Sequence, residues 1–240
     1  MAVLAFWSSG SGLALSAERS DKEIAVGLAE LLRSARGVVS ANQDLINDPA
    51  VADKGLTGEV VLAEARERYG ETTGEDLSTV DPSSRYGRAI SALGKAIVQV
   101  TDEHQSTINM PGVGFKGFIP AVFARLVNER FDALMEGEVT MKVTAPKTLV
   151  RNRKARPDAW EAEIMETKLL SADWPAGEPY VASVTVDGRE AFRFLVPEYY
   201  QASCLTCHGQ PKGELDVTGY PKEGGAEGDL GAAISITLFR

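Results

Sequence analysis

Apolar positions change their period once along this chain, and the change divides it in two. From Ile24 to Val39, Leu28, Leu31, Leu32, Ala35 and Val39 recur at helical spacing, which predicts an amphipathic helix. The Asn47-Asp48-Pro49 loop ends it, because proline disfavours helix in the preceding residue. A second helix is predicted from about Gly58 to Tyr69. The pattern then returns, from about Ser84 to Glu103 and from about Pro120 to Met135, around a break at Asn109-Met110-Pro111-Gly112. Pro120 suits a first helical turn, where its missing N–H costs nothing. After Gly137 the period becomes two. Val139, Met141 and Val143 alternate with polar residues, and Tyr180 to Val186 and Glu190 to Val196 flank Asp187-Gly188, a hairpin signal. Asp158 to Glu161 is a capping box opening a short helix toward Lys168, and a last strand is predicted near Ala232 to Leu238. Helices followed by a mostly antiparallel sheet predict an α+β fold.

The helical half repeats itself at an offset of 62 residues. Gln43, Ile46, Asn47 and Pro49 return as Gln105, Ile108, Asn109 and Pro111; Val51, Lys54, Gly55 and Val60 return as Val113, Lys116, Gly117 and Val122. Agreement in register at a fixed offset predicts a duplicated helix-loop-helix unit over residues 18–136, its copies at about 24–85 and 86–147, the second running into the sheet. Two copies are too few for a solenoid, so an antiparallel helical layer is expected against a domain over 137–240.

The chemistry concentrates in Cys204-Leu205-Thr206-Cys207-His208, which uses both cysteines and one of two histidines. Cys-x-x-Cys-His is the attachment signature of a c-type haem. On a helical turn positions i, i+3 and i+4 share a face. Two thiols then reach the vinyl groups of one porphyrin while the imidazole reaches the iron. A zinc site and a reducible Cys-x-x-Cys disulfide are the alternatives. Structural zinc takes four ligands, and the chain offers at most two Cys and two His, with His104 far away in sequence. Neither alternative explains why His208 adjoins Cys207. His104 and Met110 are candidates for the far side of the iron. Arg151 and Arg153, in a basic run, are candidates to neutralise haem propionates. Trp160, Phe192, Phe194, Tyr199 and Tyr200 are candidates to wall the macrocycle.

Charge and composition narrow the function. The 240 residues carry a net charge of −9, which argues against nucleic acid or an anionic membrane surface. No Gly-x-Ser-x-Gly elbow or phosphate-binding loop occurs, so no enzyme activity is expected. Residues 1–17 carry no charged side chain and read as an export signal ending at Leu15-Ser16-Ala17. No other stretch is apolar enough to span a bilayer, and the mature chain is expected in the periplasm.

Several separated blocks give a family resemblance: Gly114-Phe115-Lys116-Gly117-Phe118-Ile119-Pro120, Arg151-Asn152, Arg156-Pro157-Asp158-Ala159-Trp160-Glu161, and Cys204 to Gly209 with Pro211-Lys212-Gly213-Glu214 and Gly228-Asp229-Leu230-Gly231. Across most of residues 19–238 the chain resembles a bacterial c-type haem domain of unknown function with a PAS-like fold. That family includes stand-alone haem proteins and extracytoplasmic sensor domains of histidine kinases. The resemblance implies one covalent haem c on Cys204 and Cys207, with His208 as an axial ligand. In one structure of that family a cysteine on the helix before the sheet is the other ligand; here Pro120 to Met135 has none. The expected function is a redox or gas sensor module, answering a small ligand such as nitric oxide and working with a separate signalling protein. A periplasmic electron-transfer cytochrome with a redox partner protein is the alternative.

Overall fold

The computed structural model describes residues 18–240; the expected export signal, residues 1–17, lies outside the described residues. Six helices come first: α1 (Asp21–Ala41), α2 (Gln43–Asn47), α3 (Gly58–Thr73), α4 (Arg85–Glu103), α5 (Gln105–Ile108) and α6 (Pro120–Leu134). Three of the long helices begin where a side-chain cap satisfies their first amides, and α6 begins instead with Pro120 in its first turn. Ser20 and Glu23 form a reciprocal box on α1, and Thr57 and Ser84 cap α3 and α4. Strand β1 (Val139–Thr144) follows, then α7 (Ala159–Ile164), β2 (Tyr180–Val186), β3 (Arg189–Tyr199), α8 (Leu205–His208) and β4 (Leu230–Phe239). The capping box of Asp158 and Glu161 opens α7 as its sequence predicts, and the helix continues with a wider π turn over Met165–Leu169. The fold is therefore mixed α+β, with one antiparallel sheet in the order β1-β4-β3-β2. Asp187 and Gly188 both take positive φ, 51° and 80°, in the tight turn joining β2 to β3.

The helices cover one face of the sheet. Val139 and Met141 of β1, Phe194 and Val196 of β3, and Ile234, Ile236 and Leu238 of β4 join α1, α3, α4 and α6 in one apolar core. A smaller apolar cluster on the other face holds Leu195 and Ala233 under Ile164, Met165 and Leu169, with Trp160, Trp174, Tyr180 and Tyr199 packed around it. Arg33 and Arg36 of α1 pair with Glu198 at 2.5 and 2.6 Å. These pairs fasten the helical layer to the end of β3, just before the chain leaves for the cysteines.

Within the helical layer hydrogen bonds recur at the 62-residue offset and run reciprocally. Asn109 Oδ1 accepts from the Lys54 amide and Asn47 Oδ1 from the Lys116 amide, both at 3.0 Å. Gln43 donates to the Phe118 carbonyl, and Gln105 donates to that of Leu56. The two helix-loop-helix segments thus bond each other about an approximate two-fold axis.

Strand β1 is an edge of the sheet, and α6 covers its outer side. Asp132 of α6 accepts a hydrogen bond from the Met141 amide at 2.8 Å, which blunts an edge open to strand pairing. Burial raises the Asp132 carboxyl to about 6; the Met141 bond opposes the shift and the Glu129 charge adds to it. The folded state therefore holds this proton more tightly than the unfolded chain, and stability falls as pH rises from about 4 to about 6. Asp132→Asn is expected to remove that part of the slope, on the order of 2 kcal/mol, in urea unfolding at pH 4.5 and 7. An unchanged slope would show that Asp132 ionises freely.

Candidate functional site

The bulge at Glu198/Tyr199 ends regular pairing of β3 with β4. Tyr200 then turns into the structure, with its amide bonded to the Asp229 carbonyl and its carbonyl accepting from the Gly228 amide, each at 2.9 Å. Its ring occupies a slot that only glycine permits. A Cβ on Gly231 would lie 2.2 Å from the Tyr200 ring, and one on Gly225 would lie 2.7 Å away. The segment then winds through a 3-10 turn, Ala202–Cys204, into α8, so Cys204, Cys207 and His208 follow one another on two successive helical turns. Both cysteines are free thiols of intermediate burial.

His208 is held from two sides. Its ring stacks on Tyr200, with centroids 5.0 Å apart and planes 20° from parallel. Its Nδ1 lies 2.9 Å from Glu223 Oε2. Burial opposes ionisation of Glu223, but hydrogen bonds from Arg151 and His208 hold its carboxyl below the usual range. An ionised carboxylate only accepts, so Nδ1 carries the proton and donates it, and Nε2 is the nitrogen that bears the lone pair in the neutral imidazole.

Arg151 organises this loop. Its Nε and Nη2 grip both Glu223 oxygens at 2.7 and 2.9 Å, its Nη1 reaches Asp216 Oδ2 at 2.5 Å, and Nη2 also donates to the Cys207 carbonyl at 2.8 Å. Asp216 has no exposed side-chain surface. Burial pushes its carboxyl up, yet bonds from Thr218, Arg151 and the Tyr220 amide outweigh this and hold it well below the usual carboxylate range. Burial, with the Asp216 charge, raises the Cys207 thiol. A redox dithiol depends on the reverse, a lowered thiol.

The remaining sequence candidates lie elsewhere. Phe194 is buried in the helical core and Phe192 packs against it, because alternation along β3 sends both rings to the helix-covered face. They do not wall the cysteine segment. Trp160 lies on the opposite face, over Arg193 at 4.2 Å and edge-on to Tyr180. Tyr199 packs on the same outer cluster and its hydroxyl accepts from the Gly177 amide. Of the aromatic candidates Tyr200 alone meets His208. His104 caps the end of α4, its Nδ1 2.8 Å from the Val100 carbonyl and its ring against Phe118. Asn42, 62 residues earlier, makes the matching bond to Val38 at 2.9 Å. Met110 is 42% exposed on its loop. Arg153 lies by the cavity beside Arg151, and Arg151 itself is committed to Asp216 and Glu223. Glu223 and Asp216 are the site residues that sequence reasoning missed. They sit in a Gly/Pro-rich loop with no periodicity, and only their opposite charge to the basic run pointed toward them.

Among the described residues no group of three or more His, Cys, Asp and Glu side chains is placed to hold a metal ion, so the four-ligand zinc alternative is not assembled. No helix among them is long and apolar enough to cross a membrane. Neither a curated protein nor a solved structure matches the chain. A family model does, described as Tll0287-like (Tll0287), and it aligns with residues 15–238. The match takes in the helical layer, the sheet as far as Leu238 and the Cys204–His208 segment, and the chain belongs to the Tll0287-like family.

Proposed function

We propose that this chain is an exported c-type haem protein, with one haem attached through Cys204 and Cys207, that serves as a redox or small-ligand sensor module. The observation that carries this reading is the state of His208. Its Nδ1 is engaged by Glu223, which leaves Nε2 as the ring nitrogen that would hold an iron in the neutral imidazole. The carboxylate fixes the tautomer, and the Tyr200 stack fixes the ring.

The residues fit the group. Two free thiols flank two residues on consecutive helical turns, next to the histidine. The raised Cys207 thiol counts against a disulfide-exchange site, which works through a lowered thiol. Leu215 and Val217, 66% and 56% exposed on the loop after His208, present apolar side chains that a large apolar group would cover. When bound, haem supplies an iron that changes oxidation state or takes a small ligand. The chain's residues orient the imidazole, hold its proton on Nδ1 and pin the attachment turn through Arg151. His104 is engaged with Val100 and Phe118 and is not turned toward the cysteine segment, so a bound haem would not draw on it as a ligand, which supports sensing over electron transfer. The PAS-like character of the sheet, export to the periplasm and a separate signalling partner belong to the same proposal.

The test is production of the full chain with a haem-attachment system, followed by a pyridine haemochrome spectrum and intact mass. Wild type should carry one haem that resists acid-acetone extraction, and Cys204→Ala/Cys207→Ala should carry none. A wild-type chain without covalent haem would refute the proposal. Rapid carbon monoxide binding by the reduced protein is the expected sensor signature, whereas a six-coordinate, ligand-inert iron would assign electron transfer instead.

A further inference from the structure

Beside the attachment turn lies a cavity of about 580 Å³, lined by Lys147, Val150, Arg151, Arg153, Arg156 and Tyr220 among others. Four cationic side chains meet there in a chain whose net charge is −9. Their placement follows from the backbone. Arg153–Ala155 is a 3-10 turn, and the Arg156 amide closes on the Arg153 carbonyl. In such a turn residues three apart eclipse one another, so Arg153 and Arg156 project to the same side. The turn is tied to the sheet: Thr144 Oγ1 donates to the Ala155 carbonyl at 2.9 Å, and Lys142 Nζ donates to that of Arg156 at 3.1 Å.

The cations differ in what already neutralises them. Arg151 is matched by Asp216 and Glu223, Lys147 by Glu166 at 3.5 Å, and the neighbouring Lys154 by Glu129. Arg153 and Arg156 form no ion pair with any described residue. Two unpaired guanidinium forks on a fastened turn, facing one concavity of ligand size, are suited to planar oxyanions.

We propose that this cavity binds a compact paired carboxylate, with Arg153 and Arg156 each taking one carboxylate group. Two sources share that chemistry: the two propionates of the haem proposed above, and a free dicarboxylate. The first rests on the haem reading, because Arg151 in the cavity wall donates to the Cys207 carbonyl and so places the cavity against the attachment turn. The second stands without it.

The experiment compares the haem-loaded full chain with its Arg153→Gln/Arg156→Gln variant. If propionates fill the cavity, the propionate bending bands in the resonance Raman spectrum shift in the variant, and succinate at constant ionic strength leaves the Tm of wild type unchanged. If a free dicarboxylate fills it, succinate raises the Tm of wild type, and the variant needs at least a tenfold higher concentration for the same rise. Unshifted bands together with no effect of succinate would overturn the proposal. Should wild type load no haem, the haem reading fails by itself, and the succinate titration of the haem-free chain still decides: a rise in Tm supports the cavity's role and no rise ends it.

Discussion

Arg151→Met is expected to cost about 3–5 kcal/mol of folding stability, because it leaves Asp216 and Glu223 buried without their cation. Asp216 has no exposed side-chain surface and Glu223 is 17% exposed, so solvent does not replace the guanidinium. Arg151→Lys should lie between wild type and Arg151→Met, since one ammonium keeps the charge but cannot grip both Glu223 oxygens and still reach Asp216 and the Cys207 carbonyl. The sign with pH is fixed. Both carboxyls are lowered in the fold, so the stability they contribute is present above about pH 4, the unfolded carboxyl value, and is lost as pH falls through their folded values. The gap between wild type and Arg151→Met should therefore be widest near neutrality and narrow in acid. Urea denaturation at pH 7 and pH 3 measures it; a loss below 1 kcal/mol at pH 7 would show that Arg151 does not hold the loop.

Gly231→Ala should have the next largest effect, about 1–3 kcal/mol, as expected when a methyl is forced into a filled site. The new Cβ would stand 2.2 Å from the Tyr200 ring, which is itself only 8% exposed and is hemmed by Gly225 on its other edge. The ring must tilt or leave, and its stack with His208 goes with it. A double-mutant cycle separates this from a generic strand defect. In a Tyr200→Ala background the added methyl meets no ring, so Gly231→Ala should cost much less there. Equal cost in both backgrounds would place the defect in β4 itself.

How far the sequence carried depended on whether a feature has a period. The long helices and the Asp187-Gly188 hairpin follow from spacing and turn chemistry, and their bounds moved by only a few residues. The Cys204–His208 segment announces itself by residue type. Alternation along β3 shows that Phe192 and Phe194 share a face, but not which face the helices cover, so spacing alone does not say that both rings enter the helical core. Tyr199 keeps the phase of Leu195 and packs on the outer cluster, whereas Tyr200 turns into the loop just past the Glu198/Tyr199 bulge, which carries no sequence mark. Glu223 reaches His208 across 15 residues of loop, a contact made by the path of the chain rather than by any local pattern. For His104 the 62-residue offset held the answer. Its counterpart is Asn42, which makes the same bond to the carbonyl four residues back without any metal chemistry.

The reciprocal bonds across the helical layer bear on how it comes apart. In stacked repeat proteins each unit touches its neighbours through one face, and end units fray first. Here Asn47 serves the Lys116 amide while Asn109 serves that of Lys54, and Gln43 and Gln105 each complete the other segment's loop. Opening either loop strips partners from both, so neither segment has an end from which to fray. The layer is therefore expected to open as a single cooperative unit, and Arg33 and Arg36 tie that unit to the strand end from which the cysteine segment departs.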